Sequence, residues 1–145
     1  MKALIQRVKK ASVTIDKELY STINAGLLVF LGVEKSDEKI NAEKLAEKIL
    51  KLRIFEDENE KMNLSVEDVK GEILVVSQFT LCGDCKKGTR PSFDNSAQHL
   101  KAEELYEYFV EQIRKGNLKT QTGKFGAYMN VELVNDGPVT FWLEK

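Results

Sequence analysis

The spacing of apolar residues first changes period near residue 36, and that change commits the chain to laying down sheet before helix. Through residues 2–33, Leu4-Ile5, Val8, Val13, Ile15, Leu19, Ile23 and Leu27-Leu28-Val29-Phe30-Leu31 cluster in short β-rich runs. Polar breaks at Asp16-Lys17 and Asn24-Ala25-Gly26 divide them into strands, because such residues accept turn geometry. Then Ala42, Leu45, Ala46, Ile49 and Leu52 follow i, i+3, i+4, i+7 and i+10. That is one face of a helix starting near Ser36.

Beyond this helix, Arg53-Ile54-Phe55 reads as a short strand and Asp57 to Lys61 as a solvated turn. Glu72-Ile73-Leu74-Val75-Val76-Ser77-Gln78 reads as a buried strand, followed by a polar loop from Thr80 to Phe93. Asp94 or Asn95 is placed to cap a second helix, with Ala97, Leu100, Leu105, Tyr108, Phe109 and Ile113 inward and Arg114-Lys115-Gly116 as its stop. Tyr128 to Val134 and Val139 to Leu143 flank Asn135-Asp136-Gly137-Pro138, which reads as a hairpin turn. The order predicts an α+β fold: a curved, mostly antiparallel, barrel-like sheet with two main helices, in a single domain spanning 1–145.

Composition excludes several classes. A chain of 145 residues can bury a core without disulfides or metals. No apolar run reaches the roughly 18 residues that cross a bilayer, and Met1-Lys2-Ala3-Leu4-Ile5-Gln6-Arg7 turns charged too early for a signal peptide. A cytoplasmic protein with no membrane partner is expected. A net charge of −1 draws it to nucleic acid nowhere in particular, so any RNA contact must be a local basic patch. Cys82 and Cys85 form one Cys-x-x-Cys, but a structural zinc needs four ligands and the only histidine, His99, falls in a predicted helix. Neither a metal nor another cofactor is expected.

Three segments could carry chemistry. Ser77-Gln78-Phe79-Thr80-Leu81 lies where a buried strand meets a loop. A hydroxyl, an amide and backbone N–H groups released from the ladder could there hold a carbonyl or an oxyanion, although such residues also make ordinary turns. In Asn135-Asp136-Gly137-Pro138-Val139-Thr140, glycine before proline gives a stiff turn, structural or functional. Lys86, Lys87 and Arg90 could follow a phosphate backbone or simply face solvent. His99 has no serine or cysteine motif beside it, so a hydrolase built on this chain would lack the usual protein base.

Taken together, Ser77-Gln78-Phe79-Thr80-Leu81, Lys87-Gly88-Thr89-Arg90-Pro91-Ser92-Phe93 and Asn135-Asp136-Gly137-Pro138-Val139-Thr140 resemble the signature of D-aminoacyl-tRNA deacylases. Gln6-Arg7-Val8, Ala11-Ser12-Val13, Gly26-Leu27-Leu28, Leu52 to Asp57 and Lys61 to Ser65 match in order and spacing, so the likeness covers nearly the whole chain. The resemblance implies hydrolysis of the ester between tRNA and a D-amino acid, with the aminoacyl acceptor end as partner. It implies a homodimer with active sites at the interface, where a cis Gly137-Pro138 peptide of one subunit enters the other's pocket. Ser77, Gln78, Phe79 and Thr80 would line that pocket, with Met129 and Phe125 holding the adenine.

The resemblance also accounts for the missing base. The free ribose hydroxyl beside the ester can orient the attacking water, an RNA-assisted route, while N–H groups near Phe79 and Thr80 hold the oxyanion. Thr80 as a covalent nucleophile is the rival route. An L side chain would be excluded by the rigid Gly-Pro carbonyls, and glycyl-tRNA, having none, would also be cleaved. The competing readings are a non-catalytic nucleic-acid-binding dimer using Lys86, Lys87 and Arg90, and a Cys82/Cys85 thiol-redox protein.

Overall fold

The computed structural model, which describes residues 1–145, has one six-stranded sheet of β1 (Lys2–Ile15), β2 (Glu18–Ile23), β3 (Gly26–Gly32), β6 (Glu72–Ser77), β7 (Thr120–Thr122) and β8 (Asn130–Glu144). Its order is β2-β1-β3-β6-β7, with β8 on the other edge of β1. A separate small pair, β4 (Phe55–Glu56) and β5 (Met62–Leu64), follows helix α1 (Lys39–Lys51). Helix α2 (His99–Arg114) packs beside α1. No helix is long and apolar enough to cross a membrane.

The α+β class expected from the sequence is the one observed. Pairs of β1 with β2, β3 and β8, and of β4 with β5, are antiparallel. The pairs β3–β6 and β6–β7 are parallel, which makes the curved sheet mixed. Parallel central strands are covered on both faces, so they read as unbroken apolar runs. Alternation along the strands divides the core accordingly. Leu27, Val29, Leu31, Ile73 and Val75 join α1 and α2 in one cluster. Leu28, Leu74 and Val76 turn to the opposite face and meet Val8, Val13 and Ile23, with Met129 and Val131 packed against them.

Local chemistry moves two expected boundaries. The first helix begins at Lys39 rather than near Ser36, because Asp37 is occupied: its buried carboxylate accepts the Glu34 N–H at 2.7 Å and the Met1 ammonium. Glu38 caps the helix instead, its N–H donating to Asn41 Oδ1 at 2.9 Å. The second helix begins at His99, with Gln98 rather than Asp94 or Asn95 at its N-cap position. Residues 95–97 are tied as a strap to the end of β3, with Lys35 N–H donating to Asn95 O and Ala97 N–H to Val33 O, both at 2.9 Å. The later start rotates the inner face to Leu105, Tyr106, Phe109, Val110 and Ile113, leaving Leu100 exposed.

The largest correction concerns residues 130–144. They form no hairpin; β8 is one strand paired with β1 from Asn130 opposite Thr14 to Glu144 opposite Lys2. The Asn135–Pro138 segment is a bulge inside that ladder, marked by register shifts between Gln6 and Val8 and between Val8 and Lys10. A bulge lets a strand carry extra residues without leaving its partner. The sequence signals of a turn and a bulge are alike here, and only the partner strand tells them apart.

Candidate active site

Ser77 is the last residue of β6, opposite Leu31 of β3. The Gln78 N–H extends the pairing by one bond, donating to Leu31 O at 2.7 Å, after which Phe79–Cys82 turn into a short 3-10 helix. The Leu81 N–H donates to Gln78 O at 3.2 Å and the Gly83 N–H to Thr80 O at 3.0 Å. The N–H groups of Phe79 and Thr80 precede the first of those bonds and so are the free donors that open any helix. Gln78 Nε2 donates to Thr80 Oγ1 at 2.5 Å, tying the amide and the hydroxyl into one unit.

A cavity of about 580 Å³ opens beside this strand end. Ser77, Gln78 and Phe79 line one part of it, and Phe125, Tyr128 and Met129, from the segment before β8, line another. Ser96, Ala97 and His99, from the strap and the start of α2, complete the wall. Five of the residues picked from the sequence thus share one chamber: Ser77, Gln78, Phe79, Phe125 and Met129. Thr80 does not line it, although its hydroxyl is held by Gln78. Sequence reasoning placed His99 in a helix and gave it no part in a site, yet it stands at the rim.

Gly137 and Pro138 do not line this cavity; they are exposed, and the peptide bond between them is cis. Their bulge is braced by side chains. Asn135 Nδ2 donates to Arg7 O at 3.0 Å and to Val139 O at 3.1 Å, from both sides of the elbow. A Cβ on Gly137 would stand 2.9 Å from Asn135 Oδ1, so a side chain there would press on the bracing amide. From β1 the buried Arg7 guanidinium grips the same segment. Its Nε donates to Asp136 O at 3.1 Å and pairs with Asp136 Oδ2 at 3.0 Å, while Nη1 donates to Ile54 O at 2.7 Å. Arg7 belongs to a stretch quoted for the resemblance, but nothing in the sequence marked it as the brace.

Lys86, Lys87 and Arg90 are exposed on the loop after the 3-10 helix and line no part of the cavity. Cys85 is exposed on the same loop, whereas Cys82 is buried, its Sγ donating to Val33 O at 3.5 Å. Desolvation by burial pushes the Cys82 thiol up to about 11, so it is a poor nucleophile. Burial likewise raises the Tyr106 hydroxyl, which donates to Val75 O at 2.9 Å. No three histidine, cysteine or carboxylate side chains converge as a metal site would need.

Known proteins resemble the chain along its whole length. The model of the D-Tyr-tRNA(Tyr) deacylase family matches residues 4–144. A D-aminoacyl-tRNA deacylase of Koribacter versatilis (strain Ellin345) is 60% identical over 145 residues, spanning 100% of this chain and 97% of its own. Among solved structures, a c-Myc DNA unwinding element binding protein superposes with a TM-score of 0.94 at 47% identity, covering 100% of this chain and 99% of its own. A chain described as a probable eukaryotic D-amino acid tRNA deacylase superposes at 0.84 with 16% identity over 99% of this chain and 98% of its own, and shows the shared fold alone.

Proposed function

The chain belongs to the D-Tyr-tRNA(Tyr) deacylase family, and on that footing we propose that it hydrolyses the ester joining a D-amino acid to the 3′ end of tRNA. The observation that carries this reading is the chamber in which Ser77, Gln78 and Phe79 meet Phe125 and Met129 across some fifty residues of sequence. Polar groups at one wall and an aromatic ring and a thioether at the other suit an ester attached to a nucleoside.

Water attacks the ester carbonyl, oriented by the neighbouring ribose hydroxyl of the substrate. The oxyanion that forms is met by the N–H groups of Phe79 and Thr80. The ribose oxygen leaves with a proton, giving tRNA and a free D-amino acid. Two features favour this RNA-assisted route over a covalent Thr80: its hydroxyl already accepts the Gln78 amide, and no base stands beside it.

Chirality is read by the Gly137-Pro138 elbow of a second subunit. In support, the elbow is exposed and stands apart from its own chain's chamber, and β8 pairs within the chain only with β1. Its open edge carries exposed Val134, Phe141 and Trp142, and an open apolar edge strand is a natural joint between copies. The homodimer places each elbow over the partner's chamber, where its carbonyls accept the α-amino group and crowd an L side chain. Lys86, Lys87 and Arg90 then guide the acceptor end, and the site of action is the cytoplasm, where charged tRNA resides.

Incubation with D-tyrosyl-tRNA and L-tyrosyl-tRNA tests the reading: the first should be discharged and the second spared, with glycyl-tRNA also cleaved. Equal survival of both tyrosyl esters would refute it. The name of the 47% identical relative favours a second reading, DNA binding without catalysis. That reading requires binding to unpaired DNA by a protein that leaves both esters intact.

A further inference from the structure

Phe125 reaches the chamber from a tight turn, in which the Ala127 N–H donates to Lys124 O at 3.2 Å and Gly126 is left-handed with φ of 72°. Three rings meet there. Tyr106 lies 5.6 Å from Phe125 between centroids and is fixed by its hydrogen bond to Val75 of β6, so this contact is anchored to the sheet. At the rim, the His99 ring meets Phe125 edge-on, 5.1 Å away at 82°. His99 Nε2 also packs over the turn, so closely that a Cβ on Gly126 would stand 3.3 Å from it. Nδ1 lies 3.9 Å from Glu103 Oε2, one helical turn along α2.

The turn belongs to no strand, and its glycine has no side chain with which to anchor itself. Tyr106 supports Phe125 from the core, and His99 is the aromatic neighbour at the mouth. With its side chain 68% exposed, the imidazole is free of any structural duty in the core. We propose that His99 is a positioning residue for the substrate's terminal base: it clamps Phe125 and the Gly126 turn so that the chamber presents a fixed aromatic face to the nucleoside. The clamp acts through the ring, not through proton transfer. The identity of the base rests on the deacylase reading; the clamp itself rests on the packing.

The test uses a non-hydrolysable probe, 3′-deoxy-3′-(D-tyrosylamino)adenosine, whose amide replaces the ester, with calorimetric Kd measured beside kcat and KM for D-tyrosyl-tRNA. His99→Ala should weaken Kd and raise KM by roughly three- to tenfold, the scale of one edge-to-face ring contact, with kcat little changed. His99→Phe, which restores a ring without nitrogens, should recover most of that loss. Unchanged Kd in His99→Ala, or equal weakening in both variants, would overturn the clamp. If the wild type left D-tyrosyl-tRNA intact, the deacylase reading would fall, while the Kd series would still decide whether His99 shapes the chamber.

Discussion

Ser77, Gln78 and Phe79 leave a strand flanked by sheet on both sides, whereas Gly137 and Pro138 sit in a bulge of the outermost strand. The first group inherits its position from backbone pairing: β6 is buried between β3 and β7, and the Gln78 N–H adds one more bond to the ladder. The second group depends on two side chains, Arg7 and Asn135, which hold a segment where the ladder has slipped. A site held by backbone tolerates most side-chain changes nearby. A site held by one guanidinium and one amide does not, so in the proposed enzyme chirality should be easier to damage than ester cleavage.

Arg7→Ala attacks the contrast most directly. It strips Ile54 O and Asp136 of their partner in a largely buried place and should cost about 3 kcal/mol of stability, the low end for breaking a buried pair because Asp136 is partly wet. A urea titration measures that, and the ratio of D- to L-tyrosyl-tRNA cleavage should fall together with it. Undiminished selectivity would show that the elbow holds itself. Asn135→Ala removes two donated bonds and should cost about 1–2 kcal/mol. Selectivity should drop more than kcat does; an equal drop in both would erase the distinction between the two regions.

Thr80→Ala probes the backbone-held side. Loss of a hydroxyl that only accepts from Gln78 should lower the rate by no more than about tenfold, or 1.4 kcal/mol in the barrier. A collapse of several orders of magnitude in single-turnover assays would make Thr80 the nucleophile. Removing the charges of Lys86, Lys87 and Arg90 together should act more weakly still. KM for tRNA should lose part of its salt dependence, by about 0.7 in log–log slope per single-strand phosphate contact, with kcat unmoved. Least of all, serine at both Cys82 and Cys85 should leave deacylation intact; an inactive variant would revive the thiol-redox reading.

The sequence made the fold class and the polar half of the chamber legible because both follow from local pattern. Unbroken apolar runs announce strands buried on both faces, and a hydroxyl and an amide at a strand's end stand out against them. What stayed hidden was decided by distant partners. Asn135-Asp136-Gly137-Pro138 has a turn's composition, but Arg7, some 130 residues earlier, and the Asn135 amide hold it as a bulge within β8. The strap joining residues 95–97 to 33–35 likewise delays α2 and shifts its inner face. His99 was invisible as a wall residue because its relevant neighbour, Phe125, arrives from another part of the chain.

Since β8 continues on both sides of the bulge, from Asn130 to Asn135 and from Thr140 to Glu144 against β1, the elbow has no free end on which to swing. A lid must open, close and reset for each molecule it inspects. A projection riveted into a sheet at both shoulders has no such cycle. In the proposed enzyme an L-aminoacyl end is therefore turned away on first collision, before any commitment, and the abundant correct tRNAs occupy the enzyme for no longer than an encounter.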